Sequence, residues 1–195
     1  MSRWTFGLTI AASAALVGAA PVDSARLVPG DGLQSAHPIV RIFVALSECR
    51  KSLPEGERWH IADVIDRESS RHGYDPFFVQ AIVEVESTCS PTARSHKGAI
   101  GLIQLKPSTA RAVALGSGRE WTGPSDLLDP EFNLELGLLY LSQLERRFND
   151  IHLAVAAYNL GPTRVSRMES GRARKSRYVR KVIGRYEHLV EHHET

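Results

Sequence analysis

Residues 75–87 read DPFFVQAIVEVES, and the helix they specify decides how the rest of the chain is read. Asp75 offers a side-chain oxygen as an N-cap. Pro76 has the φ that a first helical turn needs, and it lacks the N–H that would go unpaired there. On a helix advancing about 100° per residue, Phe78, Val79, Ile82, Val83 and Val85 share one apolar stripe, and Glu86 falls inside it between Val79 and Ile82 in angle. Glu84 points the other way with Gln80 and Ser87 and reads as an ordinary solvated carboxylate. Apolar neighbours disfavour the charged form of a carboxyl, so Glu86 should keep its proton to higher pH than a surface glutamate, as a proton donor must. A small rotation of the helix would instead leave Glu86 on the surface or beside an arginine.

Helix punctuation recurs on both sides of this segment. Upstream, Ile39 to Arg50 has helical character, Pro54-Glu55-Gly56 breaks it, and a second helix runs from about Glu57 to His72 and stops at Gly73. Downstream, Pro107 opens a helix to about Leu115, residues 116–124 form a loop, and Asp129-Pro130 starts a long amphipathic helix to Phe148. Asn149-Asp150 turns the chain into a helix from His152 to Leu160, Gly161-Pro162 ends it, and Arg174 to His192 makes the last. Only Ala99 to Leu105 has a pattern suited to a short strand. The expected fold is mainly α, a single helical domain with at most a small β element. With 43% hydrophobic and 24% charged residues the chain has apolar material for one core.

The first twenty residues stand apart. Arg3 precedes an apolar, small-residue run from Thr5 to Ala20 with no carboxylate, followed at once by Pro21, Asp23 and Ser24. This reads as a secretory signal peptide, the run being shorter than the roughly 18 to 20 residues of a spanning helix. Residues 21–37, rich in Pro, Gly, Ser and Asp, read as a linker or N-terminal arm, and the domain as residues 38–195. Export places Cys49 and Cys89, the only cysteines, where they either pair as a disulfide or remain two buried thiols. In the chain-entropy picture, pairing would stabilise by about 4 kcal/mol.

The net charge of +2 hides a basic C-terminal region, where nine Lys and Arg residues from Arg164 to Arg185 face Glu169 and Glu187. Such a region either attracts an anionic polymer, whether wall carboxylates, phospholipid or nucleic acid, or is a solvated face. It has no interleaved aromatics of a nucleic-acid module, and export argues against that partner, so none is expected. His188 and His192 lie one helical turn apart without a zincin-type glutamate, and there is no phosphate-cradling glycine loop. Neither a metal nor a cofactor is expected.

From Glu86 onward four further groups of residues occur in order: Glu86-Ser87 with Pro91, Ser95, Gly98 and Ala99; Gly101-Leu102-Ile103-Gln104 with Pro107 and Thr109; Asn133, Gly137, Tyr140 and Leu141; and Ala156-Ala157-Tyr158-Asn159-Leu160-Gly161. Arg177-Tyr178-Val179 follows them. Together they resemble the family 1 lytic transglycosylases, whose domain is similar to goose-type lysozyme, over roughly residues 57–185. The resemblance implies a lysozyme-like helical domain acting on peptidoglycan glycan strands without a cofactor. It implies that Glu86 is the catalytic acid and base, that Ser95 hydrogen-bonds the substrate N-acetyl group, and that Gln104, Tyr158, Asn159 and Tyr178 line the cleft. Asn133, Gly137 and Tyr140 read as structural even within the family.

Two residues depart from the family pattern: Ile103 stands for the usual methionine and Cys89 where an aromatic is common. The first is expected to alter the cleft's shape, and neither removes a proton-transfer group. Two rival readings share the fold: a goose-type lysozyme-like hydrolase, and a non-catalytic wall-binding protein that uses its basic end. Asp126, Asp129 and Glu131 are explained as loop, helix cap and first-turn dipole partner, leaving no second catalytic carboxylate.

Overall fold

The computed structural model describes residues 37–193, which lie within one compact unit. The expected signal peptide, and the linker as far as residue 36, lie outside the described residues. The helices are α1 (Pro38–Cys49), α2 (Glu55–His72), α3 (Pro76–Ser87), α4 (Pro107–Gly116), α5 (Pro130–Phe148), α6 (Ile151–Leu160), α7 (Pro162–Val165), α8 (Ser170–Arg174) and α9 (Arg177–His193), with a 3-10 turn at Pro124–Leu128. The fold is mainly α. No helix among the described residues is long and apolar enough to cross a membrane.

Local signals place most helix starts. The Asp75 carboxylate accepts from the Phe77 N–H at 2.7 Å, Asp129 from Phe132 at 2.8 Å and Asp150 from Leu153 at 2.8 Å. Each bond satisfies one of the orphan donors of a first turn, a contribution of about 1 kcal/mol apiece. Gly73 ends α2 with φ +71°, and Asn149 turns α5 into α6 with φ +50°. The last helix differs from the expectation. A break at Lys175–Ser176 separates α8 from α9, and the Ser176 hydroxyl accepts from the Val179 N–H at 3.4 Å at the start of α9. The run of basic residues is helix-compatible, yet the helices part at this serine.

α3 lies inside the bundle, and all seven residues from Phe77 to Val83 are buried. This corrects the one-sided reading. Its polar side is not solvated: Gln80 is fully buried and donates to Glu84 Oε1 at 3.1 Å, while Glu84 is ion-paired with Arg185 of α9. The cause is that α9 lies against α3 along this side, with α1 and α2 also packed on the helix, so every face of residues 77–83 is covered. The Phe78 and Tyr186 rings meet edge to face at 5.9 Å, and the Tyr186 hydroxyl donates to Asp75 Oδ2 at 3.1 Å.

After α3 the chain turns sharply, with Thr88 and Cys89 both left-handed at φ 52° and 57°. Consecutive non-glycine residues in that region are unfavourable, most of all a β-branched one. The turn is held by a disulfide from Cys89 to Cys49 at the end of α1, their Cα atoms 6.2 Å apart.

The stretch expected to suit a strand forms two isolated bridges, Arg94 to Ile100 and Ile100 to Leu105. Its tight turn is fastened to α5 by one buried amide: Asn133 donates to the Ile100 carbonyl at 3.0 Å and accepts from the Ile103 N–H at 2.9 Å. Gly101 sits at the point of closest approach with φ +84°, and a Cβ there would lie 2.3 Å from Asn133 Nδ2. Only glycine fits both the conformation and the space.

Candidate active site

Glu86 occupies the last turn of α3 and opens into a groove of ≈ 750 Å³. Burial raises its pKa above the ordinary glutamate value. Two groups oppose that rise: the Tyr178 hydroxyl, which donates to Oε1 at 2.5 Å, and the positive charge of Lys181. Both come from the first turns of α9, so the helix that covers the polar side of α3 also grips the carboxyl at its end. Burial, reinforced by the nearby Glu86 charge, pushes the Tyr178 hydroxyl well above its usual pKa, so Tyr178 remains a donor. The carboxyl is thus held between two tendencies, with apolar surroundings favouring the acid and a directed hydrogen bond favouring the carboxylate.

Ser95, Gln104, Tyr158 and Asn159 line the same groove as Glu86. Tyr178 differs: it stands behind Glu86 as its hydrogen-bond partner and is not among the lining residues. Ser95 Oγ accepts from the Ala99 N–H at 3.0 Å, which leaves its hydroxyl hydrogen to donate. Gln104, at φ 50°, uses its amide nitrogen on the carbonyls of Gly101 at 2.9 Å and Ala93 at 3.2 Å, which leaves its oxygen as an acceptor. Tyr158 donates to the Ile103 carbonyl at 3.0 Å, and burial pushes its pKa well above the usual value.

Some residues proved different from their reading. Tyr140, read as structural, lines the groove and packs its ring 5.6 Å from that of Tyr158. Ile103, expected to shape the cleft, is fully buried with its side chain against Gly137, where an added Cβ would lie 2.4 Å from Ile103 Cγ2. Its link to the groove is its carbonyl, which anchors Tyr158. Lys97, Lys106 and Arg164 also line the groove; nothing in the sequence singled out the first two, while Arg164 opens the basic C-terminal region.

Glu86 is the one carboxylate among the described residues that line the groove. The others are engaged elsewhere: Asp129 caps α5, Glu131 pairs with Arg67 at 2.7 Å, and Asp126 accepts from the N–H groups of Thr122 and Gly123. The basic C-terminal region is not one uniform patch either, since Arg174 bridges to Asp150 at 2.9 Å and Arg185 to Glu84.

Residues 63–180 match the family described as the transglycosylase SLT domain. Over 113 residues the chain is 37% identical to the soluble lytic murein transglycosylase of Salmonella typhimurium, covering 56% of this chain and 18% of that protein. It is 36% identical over 91 residues to the membrane-bound lytic murein transglycosylase E of Buchnera aphidicola, covering 46% of this chain and 41% of the relative. The chain therefore spans less than half the length of either relative. Among solved structures it is similar to the lytic transglycosylase Slt of Pseudomonas aeruginosa, solved as an inactive glutamate-to-glutamine mutant, with a TM-score of 0.59, 30% identity, and coverage of 67% of this chain and 24% of that one.

Proposed function

The chain belongs to the transglycosylase SLT domain family, and on that premise we propose that it is a peptidoglycan lytic transglycosylase in which Glu86 serves first as acid and then as base. The observation that carries this reading is a groove with a single carboxylate, whose burial raises its pKa above the ordinary glutamate value. Glycosidases that use water generally need a second carboxylate as base or nucleophile, and none of the other described carboxylates lines this groove.

In the first step Glu86 donates its proton to the oxygen joining N-acetylmuramic acid to N-acetylglucosamine. The bond from that oxygen to the anomeric carbon breaks, and the departing sugar leaves with a hydroxyl. Glu86 is now a carboxylate, the form that the Tyr178 hydrogen bond and the Lys181 charge favour. In the second step it takes the proton of the muramic acid 6-hydroxyl while that oxygen bonds to the anomeric carbon. A 1,6-anhydro end results, Glu86 is protonated again, and no water is consumed.

Ser95, with a free hydroxyl hydrogen, suits the N-acetyl carbonyl. The Gln104 oxygen suits a sugar hydroxyl, and Tyr158 and Asn159 line the same groove. Residues 38–195 act as the catalytic domain and residues 1–20 as an export leader to the cell envelope. The Cys49–Cys89 disulfide supports export, because such bonds persist in oxidising compartments. The assay is release of soluble fragments from purified sacculi by the wild type and by Glu86→Gln. Release by the wild type alone is expected, and release by both proteins at equal rate would refute the assignment of Glu86.

A further inference from the structure

Three cations surround the groove: Lys97 from the loop after α3, Lys106 at the start of α4, and Arg164 in α7. All three are exposed, and none lies within 4.0 Å of a carboxylate among the described residues. This contrasts with Arg67, Arg71, Arg119, Arg174 and Arg185, each of which has an acidic partner. The groove thus holds three unneutralised positive charges and a single acid that burial biases toward its neutral form. A neutral oligosaccharide offers these cations hydrogen-bond acceptors but no charge to balance them. The cation whose charge reaches Glu86 is Lys181 of α9, which does not line the groove. Positive charge close to Glu86 would favour its ionised form and weaken it as an acid, whereas charge on the rim can attract an anion without that penalty.

We propose that Lys97, Lys106 and Arg164 form a carboxylate-reading rim that selects glycan strands bearing free carboxylates, the groups carried by peptide stems or by the lactyl side chain of stripped muramic acid. The proposal rests on the glycan-cleaving reading of the groove. The rim sets affinity and leaves proton transfer to Glu86, so its removal acts on KM and not on kcat.

The test compares the wild type with Lys97→Gln, Lys106→Gln and Arg164→Gln combined. All three side chains are exposed, so the fold is retained. On native sacculi the triple variant is expected to show KM raised about tenfold with kcat within a factor of two, as the sum of three exposed charge contacts. On sacculi whose carboxyls have been converted to amides, the two proteins become equal. An undiminished difference on the amidated substrate, or none on either native sacculi or amidase-stripped glycan, overturns the proposal. An effect on amidase-stripped glycan, where the lactyl carboxylate has been freed, shows that the rim reads that group, and an effect on native sacculi that is lost on stripped glycan assigns the reading to the stems. Sedimentation of the Glu86→Gln protein with native sacculi, with and without the three changes, separates this from the reading of function. Weaker sedimentation of the quadruple variant supports the rim even if no turnover is seen, and equal sedimentation refutes it.

Discussion

Replacing Tyr178 by Phe removes one oxygen from the wall behind Glu86. In the wild type that hydroxyl donates to Glu86 Oε1 at 2.5 Å and opposes the burial that raises the carboxyl's pKa. A hydrogen bond to a charged acceptor contributes about 1.5–3 kcal/mol, against roughly 0.5–1.5 kcal/mol to a neutral one. The difference, about 1–1.5 kcal/mol, appears only as Glu86 becomes a carboxylate in the transition state. Its loss should lower kcat by about tenfold. The pH dependence moves too. Without the hydroxyl, burial acts with less opposition, so Glu86 in the variant holds its proton to still higher pH. The alkaline limb of kcat/KM, which reports loss of that proton from the free enzyme, shifts upward. The variant is therefore slower on its plateau yet keeps its activity further into alkali. Turnover of soluble glycan fragments across pH, with thermal melts to check folding, reads both effects. An unchanged plateau with an unmoved limb, or a limb displaced downward, would refute the role given to Tyr178.

Three other outcomes follow from the same geometry. The raised pKa of Glu86 means that, above the ordinary glutamate value, the native state binds more protons than the unfolded one, so this group makes stability fall as pH rises toward its folded pKa. Glu86→Gln cannot ionise and should melt above the wild type at neutral pH, with the gap closing in acid; a variant less stable at neutral pH would contradict this. Cys49 and Cys89 are separated by 40 residues, so the double serine variant should lose about 4 kcal/mol. For a domain of this size that is a fall in Tm of roughly 10 °C, and reduced wild type should match it in the same melt. Gly137→Ala places a methyl 2.4 Å from Ile103 Cγ2, a fully buried β-branched side chain with little room to move. A loss of about 1–3 kcal/mol in denaturant unfolding is expected, together with reduced turnover as Ile103 and Tyr158 shift.

What was legible in the sequence was mostly local. Asp75-Pro76 and Asp129-Pro130 announce helix starts because the cap and the donor it satisfies are two or three residues apart. Glu86 was visible because its angle on α3 depends only on its near neighbours. Glu84 was misread for the same reason: its partner Arg185 lies 101 residues away, and nothing in α3 says that a later helix will cover its polar side. The Asn133 amide reaches 33 residues back to Ile100, and the Tyr178 hydroxyl 92 residues back to Glu86. Tyr178 entered the expected site through motif resemblance, not through any local pattern. Lys97, Lys106 and Arg164 are ordinary exposed cations in sequence, and they become a group only when the loop after α3, α4 and α7 meet at the groove.

The central claim is that one carboxylate both protonates the leaving oxygen and directs an internal hydroxyl to the anomeric carbon. The most direct test is to digest purified sacculi in water enriched in oxygen-18 and weigh the products by mass spectrometry. The account predicts 1,6-anhydro ends without the heavy isotope from the wild type and no such ends from Glu86→Gln. Reducing ends carrying oxygen-18 would contradict it, because water would then have been the nucleophile.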